Sequence, residues 1–264
     1  MFQRAYKKTI IILAIFNLSA CSVVGGLWYE RLDRFIANQF LEYATFSIAQ
    51  ENYIRKATEE FKRWNAKNEL PEYKKLLLTL RLLDSTTRVD DIDDIYQKGV
   101  MLGNRSRNFF VPYLVEFCKT LTNKQVEEIA IHFDGLMEKR SFELGNEKKI
   151  YQAALDKSFV RFFRLLGIKL NDKQRNTIRL LSSELEDTRY QLLNDRIKWN
   201  QQFVTILALR KQKNFKQILT DHINSLSSED KNTRRVINQI TGEIIASLDE
   251  KQRTRFQKRL GVFE

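Results

Sequence analysis

The segment Leu170-Asn171-Asp172-Lys173-Gln174 decides the fold class, because it has the pattern of a helix start. Asn171 is a favoured N-cap residue, and Gln174 stands three positions later, where its amide can reach back to the N–H of the cap residue. Apolar residues then recur at spacings of three and four, which indicates an amphipathic helix. We expect this helix to be the longest of the chain and to continue to about Arg210.

Two more segments share this pattern of leucine, cap residue, two polar residues and glutamine. They are Leu121-Thr122-Asn123-Lys124-Gln125 and Leu248-Asp249-Glu250-Lys251-Gln252. Only two prolines and nine glycines occur in 264 residues, so few residues oppose helix formation. The sequence therefore predicts an all-α protein, a multi-helix bundle of about nine to eleven helices.

The apolar spacing also predicts where individual helices begin and end. We expect a first helix from Trp28 to about Gln50 and a later helix start at Ser227-Ser228-Glu229-Asp230. A second helix should end at Glu69-Leu70-Pro71, since the residue before a proline avoids the helical conformation.

Three glycines are expected to lie between helices, namely Gly145, Gly167 and Gly242. Gly167 is expected to end one helix shortly before the helix start at Leu170.

The first twenty residues have the layout of a secretory signal peptide, with Arg4, Lys7 and Lys8 before a short apolar run. As a helix, residues 9–20 would extend roughly 18 Å, which is too short for the ~30 Å hydrocarbon core of a bilayer. Leu18-Ser19-Ala20-Cys21 resembles the lipobox of bacterial lipoproteins, in which the cysteine receives a diacylglycerol before cleavage and its freed amine is then acylated, typically with palmitate.

This resemblance implies a division of the chain. Residues 1–20 would be the signal peptide, residues 21–27 the lipidated Cys21 with a short tether, and residues 28–264 an all-helical domain with a possible subdivision near 160–170. In lipoproteins an aspartate after the cysteine is the usual retention signal, so Ser22 implies an outer-membrane location facing the periplasm.

Charge is distributed unevenly along the chain, whose formal net charge is +12. Residues 21–160 carry 21 basic and 21 acidic side chains, whereas residues 161–264 carry 21 basic and 12 acidic ones. The basic C-terminal helices are therefore either an ordinary solvated surface or a contact face for anionic lipid, lipopolysaccharide or an acidic protein. Nucleic acid is not an expected partner of an exported lipoprotein.

Groups suited to catalysis are scarce. His132 and His222 stand far apart and are interpreted as surface or packing residues, and no cofactor motif or metal-ligand motif is present. With Cys21 acylated, Cys118 has no disulfide partner, and its apolar helical face predicts a buried thiol. No small-molecule substrate is evident, and we expect no catalytic residue.

Two acidic segments were weighed as possible sites. Glu69 and Glu72 beside Tyr73 would be the place for a catalytic carboxylate pair, although a helix N-terminus with Arg63 or Lys67 as partner explains them as well. Four further carboxylates are interpreted as first-turn residues that complement a helix dipole rather than as a metal site. They are Asp90, Asp91, Asp93 and Asp94.

Three segments resemble a family of Gram-negative lipoproteins that is defined only as a domain of unknown function. They are Trp28–Asp33, Trp64–Tyr73, and Arg161–Gly167 with the following Leu170–Gln174. The resemblance covers nearly the whole mature chain and implies a helical fold and an envelope location, but no activity. Where relatives have a histidine after the tryptophan, this chain has Asn65, so no catalytic role is expected there.

The Leu121-Thr122-x-x-Gln125 segment is also similar to the Leu-Thr-x-x-Gln motif of Spy-type periplasmic chaperones, which bind unfolded clients without ATP. A capping box alone accounts for the same residues. Three hypotheses therefore stand: a lipid-anchored binding or scaffolding protein, an ATP-independent holdase, and an enzyme acting on an envelope polymer.

Overall fold

The computed structural model describes residues 29–147, 151–225 and 231–261, and these ranges form eleven α-helices without a strand. The all-α prediction is confirmed for this part of the chain. No helix in it is both long and apolar enough to cross a membrane. The helices, in chain order, are α1 (Leu32–Leu41), α2 (Ile48–Asn68), α3 (Leu70–Arg81), α4 (Val89–Lys119), α5 (Asn123–Glu147), α6 (Tyr151–Leu165), α7 (Asp172–Ser182), α8 (Arg189–Ala208), α9 (Phe215–Asn224), α10 (Lys231–Ala246) and α11 (Glu250–Gly261).

Two large hydrophobic cores hold most of the helices together, and a small third cluster packs α5 against α8. The first joins α3, α4, α6, α7, α10 and α11 around fully buried side chains such as Phe163. The second joins α4, α5, α8 and α9 around Leu207. The 31-residue helix α4 contributes to both, through Ile92 near its start and Val115 near its end, and so links the two cores.

The three predicted capping boxes are present, and a fourth one opens α2. There the hydroxyl of Ser47 accepts from the Gln50 N–H, while the Gln50 amide oxygen accepts from the Ser47 N–H. Phe46 precedes this cap where the other copies have leucine, which is why the leucine pattern missed it.

The capping glutamines of α2 and α5 also bond to each other, and we call such a reciprocal pair a glutamine clasp. Gln50 Nε2 donates to Gln125 Oε1 at 3.1 Å, and Gln125 Nε2 donates to Gln50 Oε1 at 2.7 Å. Gln50 also donates to the carbonyl and the hydroxyl of Thr120, and Gln125 donates to the carbonyl of Thr45. Every donor and acceptor of these two buried amides is used.

The capping glutamines of α7 and α11 form a second clasp with the same bonds. Gln174 Nε2 donates to Gln252 Oε1 at 3.1 Å, and Gln252 Nε2 donates to Gln174 Oε1 at 2.9 Å. Gln174 donates in addition to the carbonyl and the hydroxyl of Ser247, and Gln252 donates to the carbonyl of Lys169.

The two clasps correspond position by position. In both, the additional carbonyl acceptors stand two residues before a cap residue, as Thr120 does before Thr122 and Ser247 before Asp249. The clasped glutamines are 75 residues apart in one half of the chain and 78 in the other. The two halves therefore repeat one structural unit, in which a clasp joins the N-termini of two helices.

Two helix predictions are wrong. The first helix does not run to Gln50, because α1 ends at Leu41 and the Ser47 capping box starts a new helix. The long helix after Asn171 is divided between α7 and α8. Helix α7 ends at Ser182. The hydroxyls of Ser182 and Ser183 donate to carbonyls of α7 and so compete with the next helical hydrogen bonds.

Gly167 ends α6, as predicted, with a φ of 81°. The Ile168 N–H bonds to the Phe163 carbonyl and the Gly167 N–H to the Arg164 carbonyl, which is the Schellman arrangement. A Cβ at this position would lie 2.9 Å from Cβ of Arg259, so glycine also allows α11 to approach.

The prediction that Gly145 and Gly242 lie between helices is wrong, because they lie inside α5 and α10. Gly242 lies where α10 packs on the start of α4, and a Cβ there would be 3.6 Å from the Arg88 carbonyl carbon. The helix start predicted at 227–230 lies outside the described residues, and α10 begins at Lys231.

Candidate anion-binding site

Helix α6 has one apolar face and one cationic face. Phe159 and Phe163 are buried in the first core. Lys157, Arg161 and Arg164 follow at spacings of four and three residues, so they lie on a common, exposed side of the helix. The core contacts of the two phenylalanines therefore fix the cationic face toward solvent.

Helix α7 brings a fourth cation to this face. Arg175 follows Gln174, whose clasp and capping box hold the start of α7 in place. A cleft of about 270 Å³ lies between α6 and α7. Its walls are formed by Asp156, Lys157, Val160, Arg161, Arg164 and Arg175.

The four cations of the cleft have no carboxylate partner within the described residues. Other cations of the fold do form ion pairs. Lys62 pairs with Asp33 at 3.0 Å, and Arg105 pairs with Glu69 at 3.0 Å. Cationic side chains in α6 and α7 form no such ion pair in the described ranges, so their charges are uncompensated.

Asp156 is the one carboxylate in the wall of the cleft. Its Oδ1 is shielded from solvent and accepts no hydrogen bond from any described group. A buried carboxylate oxygen without a donor is unfavourable, and the described residues supply no donor to this one.

The basic residues of α11 have a different role. Arg253 donates to the Leu83 and Ile245 carbonyls, and Arg259 donates to the Leu165 carbonyl. These guanidinium groups fasten α11 to its neighbours. Part of the excess of basic residues over 161–264 therefore serves to hold helices together. The basic residues that have no described protein partner include those of the cleft.

The carboxylates Glu69 and Glu72 do not form a pair in the structure. Glu69 lies at the α2–α3 junction with 1% of its surface exposed, and it is held by Arg105 of α4. The expected partners Arg63 and Lys67 were therefore wrong. Glu72 is exposed on α3 and binds Lys75 at 2.7 Å.

Tyr73 and Asn65 also have structural partners. Burial raises the pKa of the Tyr73 phenol, whose side chain bonds to Ser106. Asn65 is buried and accepts from the Tyr29 hydroxyl at 3.0 Å. Both residues therefore serve to join helices.

The buried thiol predicted at Cys118 is confirmed, and burial raises its pKa to about 12. His222 is buried and stacks on the ring of Trp199, with 4.6 Å between ring centroids. His132 is half-buried and contacts the ring of Tyr43. Of the two roles that the sequence leaves open for these histidines, surface or packing, the structure shows ring packing for both.

The acidic segment lies at the start of α4, where Asp90 and Asp91 are in the first turn, as predicted, whereas Asp93 and Asp94 lie beyond it. The Asp91 carboxylate accepts from the Arg88 N–H at 2.8 Å, and Asp93 accepts from Asn238 of α10 at 2.9 Å. In the described ranges no group of three or more His, Cys, Asp or Glu residues is placed to hold a metal ion.

The predicted lipidation site Cys21, the signal peptide over 1–20, the tether over 21–27 and Trp28 lie outside the described residues. They remain predictions from the sequence.

Fold and site together define the class: an all-helical protein with an open cationic cleft on one side of its first core. The chain belongs to DUF6279, a family of unknown function, which it matches over residues 42–231. The match includes two of the three segments that carry the family resemblance, Trp64–Tyr73 and Arg161–Gln174, and begins after Trp28–Asp33. Searches of the curated proteins and of the solved structures returned no match.

Proposed function

We propose that the protein is a lipid-anchored, non-catalytic binding or scaffolding protein of the bacterial envelope, held at the outer membrane and facing the periplasm. Its C-terminal cationic helices bind the phosphate groups of envelope lipids. The observation that carries this proposal is the cleft, where Lys157, Arg161, Arg164 and Arg175 meet without a protein carboxylate bound to any of them in the described ranges.

Two further features support the proposal. The lipobox-like segment ending at Cys21 would place the domain next to a membrane, where phosphate is the commonest anion. Arginine suits this ligand, because its planar guanidinium donates two parallel hydrogen bonds to phosphate oxygens.

The proposal is tested with the full-length protein in a neutral detergent, titrated with mixed micelles that contain phosphatidylglycerol. We expect binding that weakens as salt is raised, since exposed charges are screened beyond about 10 Å at 0.1 M ionic strength. Micelles that contain phosphatidylcholine are the control for detergent exchange. Equal affinity for both lipids, or binding that does not respond to salt, would contradict the proposal.

A holdase is the second proposed function. Large apolar side chains are exposed on several helices, including Ile48, Phe142 and Leu180, each with more than 70% of its surface accessible. Such residues can bind unfolded segments when they are contiguous. Gln125, the glutamine of the Spy-like motif, is bonded to Gln50 in a clasp, so client binding would depend on these apolar residues instead.

A further inference from the structure

The cleft between α6 and α7 has a more specific chemistry than a general cationic surface. It contains three guanidinium groups, one ammonium group and one carboxylate, so its formal charge is +3. This balance favours a ligand with net negative charge. The single carboxylate favours a ligand that also carries a hydrogen-bond donor, which a purely cationic site would not require.

The cations of the cleft repel one another. Lys157 and Arg161 are four residues apart on α6, and Arg161 and Arg164 are three apart, so these like charges are direct neighbours on the helix surface. Such pairs destabilise a helix. No described carboxylate relieves this repulsion, and an anion bound between α6 and α7 would do so.

The two helices approach the same ligand from different directions. Arg161 and Arg164 project from the solvent side of α6, and Arg175 enters from the clasped start of α7. A phosphate group has several oxygens that can accept from separate guanidinium groups, whereas a single carboxylate ligand offers two. Phosphate therefore fits the arrangement better.

Asp156 indicates which other group the ligand carries beside its phosphate. It stands one position before Lys157, in the wall of the same cleft, and its Oδ1 accepts no bond from the described residues. A bare phosphate would be repelled by this carboxylate. A ligand with a hydroxyl group near its phosphate would instead donate to it.

We propose that the cleft binds a phosphate ester that carries an adjacent hydroxyl group, the chemistry shared by a phosphoglycerol headgroup and by free glycerol phosphate. Arg161, Arg164 and Arg175 hold the phosphate, and Asp156 accepts from the hydroxyl. The inference rests on the proposed function, since it names the ligand class of the same cationic face.

The first experiment compares matched ligands by calorimetric titration of the full-length protein in a neutral detergent. The probes are glycerol 3-phosphate, propyl phosphate, which lacks the two hydroxyls, and inorganic phosphate. We expect glycerol 3-phosphate to bind most tightly. Equal binding of propyl phosphate and glycerol 3-phosphate would overturn the role of Asp156.

The second experiment uses variants. Arg161→Gln combined with Arg175→Gln should weaken glycerol 3-phosphate binding at least about tenfold, because hydrogen bonds between charged groups are lost. Arg179→Gln is the matched control, since Arg179 is an exposed α7 residue that does not line the cleft. Equal loss in the control and the cleft variant would overturn the site.

Asp156→Asn tests the hydroxyl contact separately. This change should reduce the preference for glycerol 3-phosphate over propyl phosphate, because the hydroxyl then donates to a neutral amide oxygen instead of a carboxylate. It should also strengthen propyl phosphate binding, because a negative charge leaves the cleft. An unchanged preference would contradict the assignment. The cleft arginines have no described partner to lose, and replacing Arg161 relieves like-charge repulsion on α6. The arginine variant should therefore unfold at the same temperature as the unaltered protein or at a higher one.

Short-chain phosphatidylglycerol distinguishes a lipid from a free ester as the source of the ligand. Tighter binding of this lipid than of glycerol 3-phosphate indicates a headgroup site, and equal binding indicates a site for the free ester. If the cleft variant binds phosphatidylglycerol micelles with unchanged, salt-dependent affinity, the cleft inference fails, and only lipid binding through other parts of the C-terminal helices remains of the proposed function. If neither micelles nor soluble esters bind, both fail.

Discussion

His222 uses its polar atoms for packing. Its ring stacks on Trp199 and contacts Phe203, and its Nε2–H donates to the Trp199 carbonyl at 3.0 Å. In return, the Trp199 indole donates to the His222 carbonyl at 3.1 Å. The sequence left a surface role and a packing role open for this histidine. The reciprocal bonds between α8 and α9 depend on how the two helices meet, which no local pattern specifies.

The environment of His222 makes stability depend on pH. Burial lowers the pKa of this imidazole below its usual value of 6.5. Below that value the unfolded chain binds a proton that the folded protein excludes, so the stabilising contribution is present above about pH 6.5 and declines as pH falls. Urea unfolding across this range should show a smaller acid loss of stability for His222→Gln than for the unaltered protein. Identical pH profiles would contradict this role.

At the scale of elements, the sequence predicted the caps but not the clasps. Asn171 and Gln174 are neighbours in the chain, and their bond follows from local spacing alone. The bond from Gln174 to Gln252 joins helix starts 78 residues apart, so it follows only from tertiary packing. The fourth cap, at Ser47, could have been predicted from the sequence with a pattern that allows phenylalanine in place of leucine.

A double-mutant cycle measures what a clasp contributes. Gln50→Ala removes one hydrogen bond from each polar atom of the buried Gln125 amide and leaves the Ser47 N–H without its described partner, at about 1–3 kcal/mol for each unsatisfied group. Gln125→Ala should cost a similar amount. The double substitution should destabilise by less than the sum, with a coupling of roughly 0.5–3 kcal/mol in denaturant unfolding.

The matched control for this cycle is Gln217→Ala. Gln217 is exposed on α9 and bonds to Asp221 at 2.8 Å within the same helix. Its replacement should change the free energy of unfolding by less than about 0.5 kcal/mol. Strict additivity of the Gln50 and Gln125 substitutions would show that the clasp is not a coupled unit.

At the scale of the whole molecule, the sequence predicted a basic C-terminal region but not which of its charges are free. Arg253 and Arg259 count toward the excess, yet they bind main-chain carbonyls. Lys157 and Asp156 precede the region that the charge count marked, yet they line the cleft with Arg175. Charge counting gives the sign of a surface, whereas tertiary structure determines where unpaired charges meet.

The central claim is that the protein contacts phosphate-bearing lipid through α6 and α7. Hydrogen–deuterium exchange of the full-length protein, with and without phosphatidylglycerol micelles, locates that contact directly. We predict added protection in residues 151–182 around the cleft, absent with phosphatidylcholine micelles and lost in the Arg161→Gln, Arg175→Gln variant. Protection confined to other helices, or equal protection with both lipids, would contradict the account.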